Sequence, residues 1–422
     1  LFAWRSRSPL HDLRYQFAYG AVPKHQGQRM PARLILILGA IVALGPLAID
    51  MYLPALPRLQ SDFGVDPATV QLTLAAYFVG IALGQLLYGP LSDRFGRRKP
   101  MIFGLVGFSL TSLGCATATS ADALILWRFA QAMTGCAGMV VARAVVRDWC
   151  QPQDMARVLS LLVLVMGIAP ILAPSLGAML LQWQDWPSLF IVLAAFGLFC
   201  ALIFTWGVPE SHPEERRDTE ISFMGAMRNY RHVLSHRRVL GYALSGGLAQ
   251  SGMFAYISSS SFVFMQGFEL SSQQFSLLFG ANAFALILAS QINRTLLQTQ
   301  PAQVVLMRAL QVYLVLALLM SLAAATGTGG LWGVAIPLWG CLACLGFTFP
   351  NSTSAAMAPF GDRAGVASAL LGTMQFTIAG TASAVVGHIG GNDPLPMALT
   401  IASCAAGACL LLHWVRGQSA NS

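Results

Sequence analysis

Charged side chains are scarce in this sequence: only 10% of the residues are Asp, Glu, Lys or Arg, whereas 56% are hydrophobic. A soluble domain carries about 25% charged residues. A chain this apolar cannot enclose its hydrophobic residues in water-soluble cores, so the sequence predicts a polytopic protein of the lipid bilayer. The formal net charge of +8 comes from basic residues between the apolar runs. That pattern is typical of membrane proteins, and we expect no nucleic-acid partner.

Catalytic motifs are also missing. No G-x-x-x-x-G-K-[S/T] phosphate loop occurs and there is no room for a nucleotide-binding domain, which excludes an ATP-driven pump in a single chain. Neither H-E-x-x-H nor G-x-S-x-G lies in the apolar runs, so an intramembrane hydrolase has no candidate site. We therefore expect a protein that is not an enzyme.

The eight cysteines show no disulfide framework, because seven of them lie inside apolar runs. Cys341 and Cys344 are spaced like a redox or metal pair, but no second Cys or His pair accompanies them. We interpret them as small packing residues of a helix and expect neither a metal nor a cofactor.

Apolar runs long enough to cross a bilayer, about 20 residues each, occur twelve times. The predicted spans are 34–57, 69–92, 100–119, 122–146, 155–181, 187–208, 239–265, 272–293, 303–325, 330–357, 364–388 and 394–415. Several contain proline, which bends helices and suits helices that move; Pro46, Pro54, Pro57, Pro170 and Pro174 are examples.

Basic residues fall on alternate sides of the predicted spans. The loops on one side contain Arg94, Arg97, Arg98, Lys99, Arg147, Arg157, Arg216, Arg217, Arg228, Arg231, Arg237, Arg238, Arg294 and Arg363. The loops on the other side contain only Arg58. Because basic loops stay in the cytoplasm, we expect both termini there.

One long polar loop divides the chain. Residues 209–238 are predicted to be a cytoplasmic linker between an N-terminal six-helix bundle, 30–208, and a C-terminal one, 239–416, followed by a tail, 417–422. The predicted fold class is thus all-α, with twelve transmembrane helices in two six-helix bundles. Two bundles with a site between them are what a rocking transporter needs.

The first 29 residues have no apolar run, and Met30 is the first methionine. We interpret 1–29 as a disordered or spurious extension. A cleaved signal peptide fits less well, since the following apolar run is too long and no small-residue cleavage site ends it.

Two charged residues, Asp50 and Arg128, lie within the spans without an obvious structural reason. Placing either at mid-membrane costs about 2.5–3.5 kcal/mol, so each is a functional candidate. Counted along their helices, both lie roughly 9–11 Å below the outer surface, which would allow them to pair. Burial disfavours a charged carboxyl and a neighbouring guanidinium favours it, so Asp50 could bind and release a proton while Arg128 stays charged. The alternative is a structural ion pair.

Other polar and aromatic residues could line a cavity between the bundles, although each alone is more often a packing residue. They are Tyr52, Gln71, Tyr77, Gln85, Gln131, Gln250, Phe254, Tyr256, Asn282 and Gln375. We select Tyr52, Tyr77, Gln131, Phe254 and Tyr256 as candidate substrate-binding residues.

Three stretches resemble motifs of the major facilitator superfamily. Residues 89–98, GPLSDRFGRR, resemble its loop between the second and third helices. Arg128 with Gln131 and Gly135 resembles its fourth-helix motif. Residues 167–177 resemble the Gly/Pro motif of its antiporters. In the loop, Gly89 is expected to let two helices touch and Asp93 to accept from helix ends or arginines. The resemblance implies conformational gating by Gly89, Asp93, Arg94, Gly96, Arg97, Arg98, Pro170, Pro174 and Gly177.

A narrower resemblance, to the Bcr/CflA drug antiporters, rests on 46–57, PLAIDMYLPALP, with Arg147-Asp148 and 252–254. It implies a monomeric bacterial inner-membrane transporter that exchanges small drugs for protons, with Asp50 and Arg128 in the coupling centre. The second half departs from the pattern, because Gln291-Ile292-Asn293-Arg294 is only a faint remnant of the charged loop.

Three alternatives remain open from the residues. An exporter of amino acids, peptides or nucleosides would use the same motifs. An uncoupled facilitator would need no titratable group at the depth of Asp50. A membrane sensor or scaffold would be expected to carry a soluble signalling domain, which the sequence does not show.

Overall fold

The computed structural model describes residues 30–212, 237–358 and 364–420. All regular elements in these ranges are helical. They are α1 (Ala32–Asp50), α2 (Leu56–Phe63), α3 (Pro67–Phe95), α4 (Arg98–Ala116), α5 (Ala121–Trp149), α6 (Pro152–Leu180), α7 (Pro187–Gly207), α8 (Arg237–Ser261), α9 (Ser272–Leu296), α10 (Ala302–Thr326), α11 (Gly330–Met357), α12 (Ala364–Ile389) and α13 (Pro394–Ala420), with a 3₁₀ turn at Leu53–Ala55 and a π-helical turn at Phe262–Gly267.

The twelve predicted spans correspond to these helices, with α1 and α2 forming the first span together. Eleven of the described helical segments are long and apolar enough to cross a membrane. The remaining one, α8, is more polar because it contains serines, glycines and Gln250. Its serines are buried between neighbouring helices, as at Ser245, Ser251 and Ser258, so protein rather than lipid surrounds them.

The first span is interrupted, which the sequence analysis did not predict. α1 ends at Asp50, a 3₁₀ turn follows at Leu53–Ala55, and α2 continues to Phe63, six residues beyond the predicted end. Pro54 lies in that turn, where proline is tolerated because its missing N–H is not needed for a helical hydrogen bond. Gly64 then ends α2 with φ of +62°, a conformation that favours glycine.

The helices form two six-helix bundles, as predicted. In the first half, α5 packs against α3, α4 and α1, while α7 contacts α4 and α1. In the second half, α8 packs against α11, α12 and α13, and α10 lies between α11 and α13. The two halves meet along α3 with α12 and α6 with α9. The boundaries predicted for the bundles stay predictions, because 213–236 and 1–29 lie outside the described residues; α13 extends to Ala420, into the predicted tail.

The end of the molecule that carries the Gly96–Arg98 connection is called the basic-loop end, and the other is called the opposite end. At the opposite end the halves are joined by two hydrogen bonds. Ser261 Oγ donates to the Leu53 carbonyl oxygen at 2.6 Å, and Gln266 Nε2 donates to Gln60 Oε1 at 3.0 Å. The structure is therefore closed between the halves at the opposite end.

Candidate functional site

Asp50 lies at the interruption of the first span. It is the last residue of α1 and is 3% exposed. Among the described residues no hydrogen bond or ion pair reaches its carboxyl group. Tyr77 of α3 and Tyr256 of α8, which belong to different halves, lie near it. The carboxyl group is thus buried without a cation partner where the two halves meet.

Arg128 lies on α5 and is completely buried. Its guanidinium carbon is 4.2 Å from the ring centre of Tyr77, 4.8 Å from that of Tyr52 and 5.7 Å from that of Phe190. Nη1 donates to Gln131 Oε1 at 2.6 Å, while Nε and Nη2 have no hydrogen-bond partner among the described residues. Aromatic faces attract a desolvated guanidinium by about 2 kcal/mol each, which partly replaces an acidic partner.

Further hydrogen bonds hold this aromatic cage in place. Gln131 Nε2 donates to Ser112 Oγ of α4 at 2.7 Å. The hydroxyls of Tyr52 and Thr73 lie 3.0 Å apart, and Thr73 in turn donates to the Val70 carbonyl. Arg128 is thereby fixed inside the first bundle by groups from several of its helices.

The ion pair considered between Asp50 and Arg128 is not formed in this structure, since no contact within 4.0 Å joins them. Their depths match, but depth does not determine the direction in which a side chain points. Arg128 points into its own bundle, whereas Asp50 lies between the halves. Tyr77 lies near both residues, since its ring stacks on the guanidinium and the carboxyl group of Asp50 is close by.

The candidates of the second half are near this centre but make separate contacts. Tyr256 accepts a hydrogen bond from Asn282 Nδ2 at 3.0 Å and stacks on Phe279. Phe254 packs against Phe78 and Phe376, with ring centres 4.6 and 5.4 Å away. This three-ring cluster joins α3, α8 and α12 across the halves.

Two other predicted lining residues have buried amide atoms without a hydrogen bond. Within the described part of the chain, Gln71 has no partner for Oε1 or Nε2, and Gln250 has none for Oε1. Gln71 lies beside Gly387 of α12 and Gln85 beside Gly372, at the seam between the halves. These amides therefore lie where a movement of the halves would change their surroundings.

The predicted gating loop is built around Arg97. Its Nε donates to Asp148 Oδ2 of α5 at 2.8 Å, and Nη1 donates to Asp93 of α3 and to Ser92 Oγ at 3.1 Å. Burial alone would lower the pKa of Arg97, but the carboxylates of Asp148 and Asp93 outweigh it and the pKa is raised. We call Asp93, Arg97 and Asp148 the Arg97 network; it ties three helices together with a charge that persists at neutral pH.

Glu210 completes the loop and was not predicted. Its carboxylate accepts from the backbone N–H groups of Arg97 at 2.8 Å and Arg98 at 3.1 Å, at the start of α4. A carboxylate there matches the positive end of a helix dipole. Arg98 also donates to the Thr205 carbonyl of α7. These contacts could not be predicted from the sequence, because they form only where the chain after α7 comes back to the start of α4.

The other six residues of the predicted gating motifs occupy varied environments. Gly89 does not let two helices touch here, because no other described helix comes within 4 Å of where its Cβ would stand. Gly96 has φ of +82°, which requires glycine, and Arg94 stacks on Phe95. Gly177 lets α6 approach the backbone of Met51, directly after Asp50. Pro170 and Pro174 lie within the continuous helix α6.

In the second half an uncharged pair replaces the Arg97 network. Asn351 Nδ2 of α11 donates to Asn293 Oδ1 of α9 at 2.9 Å, and both residues are buried. Asn293 lies 200 positions after Asp93, in the faint remnant of the motif. Two helices are thus joined directly by amides, without an arginine between them.

No group of three or more His, Cys, Asp or Glu among the described residues could hold a metal ion. The described cysteines are all free thiols.

The sequence matches the Major Facilitator Superfamily over residues 38–384. It is 34% identical over 380 residues to the uncharacterized MFS-type transporter YdgK of Bacillus subtilis, covering 86% of this chain and 90% of that protein. It is 28% identical over 388 residues to the bicyclomycin resistance protein homolog of Haemophilus influenzae, covering 92% and 97%. It is 30% identical over 345 residues to the multidrug resistance protein MdtL of Klebsiella pneumoniae, covering 81% and 85%.

Among solved structures, the fold is similar to the xylose transporter XylE from E. coli in a partially occluded inward-open conformation. The TM-score is 0.68 at 14% identity, covering 89% of this chain and 96% of that one. At this identity the similarity concerns the fold alone.

Proposed function

The chain belongs to the major facilitator superfamily, and on that basis we propose that it exports small drugs across the bacterial inner membrane in exchange for protons. Members of the superfamily move small molecules across membranes, and two relatives are named for bicyclomycin or multidrug resistance. Transport of small molecules follows from the family, whereas the exchange for protons and the class of substrate are proposals.

One observation carries the proposal: Asp50 is a buried carboxyl group without a cation partner, at the helix interruption between the halves. Leaving a carboxylate buried and unpaired is costly. A proton or a cationic group of the substrate would remove that cost, and the two would compete for the same oxygens. This competition is the simplest basis for exchanging one for the other.

Arg128 has the complementary role in this proposal. It remains charged and fixed in its aromatic cage, so it sets the local field without itself moving protons. Tyr77 lies beside both Arg128 and Asp50. When the halves rock, Tyr256 of the second half leaves the carboxyl group while Tyr77 stays, and the electrostatic surroundings of Asp50 change.

The orientation follows from charge. The basic-loop end faces the cytoplasm under the positive-inside rule, and both termini lie on that side. The conformation described is closed at the opposite end through Gln60–Gln266 and Ser261–Leu53. Export then requires these contacts to open, and we expect a monomer to be sufficient for the cycle.

The substrate is expected to be small and mostly apolar or cationic. The cluster of Phe78, Phe254 and Phe376 offers aromatic surface beside the seam, and aromatic rings contribute both apolar area and ring contacts. The polar neighbours Asn282 and Gln250 each have an unpartnered oxygen that could accept from a substrate N–H or O–H.

The test uses inside-out membrane vesicles with an acidified interior and a ΔpH-sensitive dye. Candidate drugs, amino acids, peptides and nucleosides are added to the wild type, to Asp50→Asn and to Asp185→Asn. Asp185 is an appropriate control because its side chain is 92% exposed. We expect a drug to release protons from the wild type and Asp185→Asn but not from Asp50→Asn.

Other results would change the proposal. Proton release by metabolites alone would make the protein a metabolite exporter. Equal release in all three forms would leave Asp50 without a coupling role. Equilibration of a labelled compound without any proton movement would show an uncoupled facilitator.

A further inference from the structure

A groove opens towards the lipid at the basic-loop end of the second half. Its volume is about 230 Å³, and it lies between α9, α10 and α11. Most of its wall is apolar and includes Leu296, Val305, Val312 and Phe347. Two polar side chains, Arg308 and Gln300, complete the lining.

Arg308 gives the groove its charge. The residue is six positions into α10, about 9 Å from the helix start, and its side chain is exposed. Nη1 donates back to Gln300 Oε1, in the segment before the helix, at 3.1 Å. The apolar stem therefore runs along the helix while the guanidinium reaches the level of the lipid headgroups.

Among the described residues, no acidic side chain pairs with this arginine. Residues 270–361 contain no Asp or Glu, and Arg308 forms no ion pair with any described residue. The contrast with the first half is clear, because there Arg97 is matched by Asp93 and Asp148. In the described part of the second half, a cation therefore lies at the mouth of an apolar groove without an anionic partner.

We propose that this groove binds an anionic phospholipid of the phosphatidylglycerol type. The phosphate accepts from Arg308 and Gln300, and one acyl chain lies along Val305, Val312 and Phe347. Charge complementarity favours an anionic over a zwitterionic headgroup, and the apolar wall favours a lipid over free phosphate. The basic-loop end lies in the leaflet where anionic lipids attract basic groups by about 1 kcal/mol each. The proposal goes beyond transport and does not depend on the identity of the substrate.

The experiment is native mass spectrometry of the detergent-purified full chain, titrated with phosphatidylglycerol or phosphatidylcholine. Three variants are compared with the wild type. Arg308→Gln removes the charge, Val312→Trp fills the groove from an exposed position, and Arg294→Gln is a control. Arg294 is also exposed and in the last turn of α9, but it does not line the groove.

We expect one tightly bound phosphatidylglycerol in the wild type and in Arg294→Gln. The affinity for phosphatidylglycerol should fall about fivefold in Arg308→Gln, because one interfacial charge is lost. In Val312→Trp this affinity should fall by at least as much. Phosphatidylcholine should bind more weakly and respond little to Arg308→Gln.

Three outcomes would overturn the proposal. The first is equal affinity for the two lipids. The second is an equal loss in Arg294→Gln, which would indicate general charge attraction. The third is displacement of the lipid by millimolar inorganic phosphate, which would indicate a site for the free anion. Thermal unfolding of each variant without added lipid verifies folding.

Discussion

The guanidinium of Arg128 stacks on the ring of Tyr77, 4.2 Å from its centre, and no carboxylate of the described residues pairs with it. A buried arginine usually requires an acid. Here three aromatic faces and Gln131 take that place, and the carboxyl group of Asp50 remains available for other partners.

This arrangement predicts that the aromatic face of Tyr77 matters more than its hydroxyl group. Tyr77→Phe should retain most proton-coupled transport. In Tyr77→Leu the rate of proton-coupled transport should fall by up to about 30-fold, which corresponds to about 2 kcal/mol of cation–π attraction. The pH profile of transport should also shift in Tyr77→Leu. Tyr88→Leu, on the same helix, is the control. Equal transport in the Phe and Leu variants would contradict the stacking role.

The Arg97 network should contribute strongly to stability. Arg97→Gln leaves Asp93 and Asp148 without their cation and should cost about 2–3 kcal/mol. Arg94→Gln, three residues earlier and exposed, should change stability by less than about 0.5 kcal/mol. Thermal unfolding of the purified variants measures both, and similar melting temperatures would show that the network is dispensable for stability.

Opening at the opposite end should be required for transport. A double variant, Gln60→Cys with Gln266→Cys, places thiols where the two amides now meet at 3.0 Å. A short bis-maleimide should then join the halves and abolish transport, while a monofunctional maleimide should not. The single variants control for reaction with native cysteines. Full transport by the crosslinked protein would show that this contact does not need to open.

Gly177 should tolerate no side chain. A Cβ there would collide with the backbone carbonyl of Met51, which cannot rotate away, so Gly177→Ala should destabilise by about 1–3 kcal/mol and slow transport. Gly167→Ala on the same helix meets only the side chain of Ile287 at 3.1 Å and should be milder. Equal unfolding temperatures in the two variants would contradict this close approach.

The sequence was sufficient to predict the twelve spans and the two bundles, because apolar runs of membrane-spanning length are visible without any tertiary information. It also identified Asp50 and Arg128, since charges inside apolar runs stand out. The relative orientation of the Asp50 and Arg128 side chains was not predictable. Depth follows from counting residues, but the direction in which Arg128 points depends on the rings of Tyr77 and Phe190, which come from other helices.

Other contacts depend on residues far apart in the chain. Glu210 reaches the start of α4 across more than a hundred positions, and Phe376 meets Phe78 across almost three hundred. No local pattern distinguishes these residues from ordinary loop and packing residues. The interruption after Asp50 had a local signal in Pro54, but three prolines in the first span left its position open.

The polarity of α8 has a consequence for biosynthesis. Of the described helices that form the twelve spans, it alone is not apolar enough to cross a membrane by length and composition, and its serines are buried among neighbouring helices. A nascent segment of this kind gains little from entering lipid alone. We therefore expect α8 to leave the translocon together with α9, so that the second bundle begins as a helical hairpin rather than as helices inserted one by one.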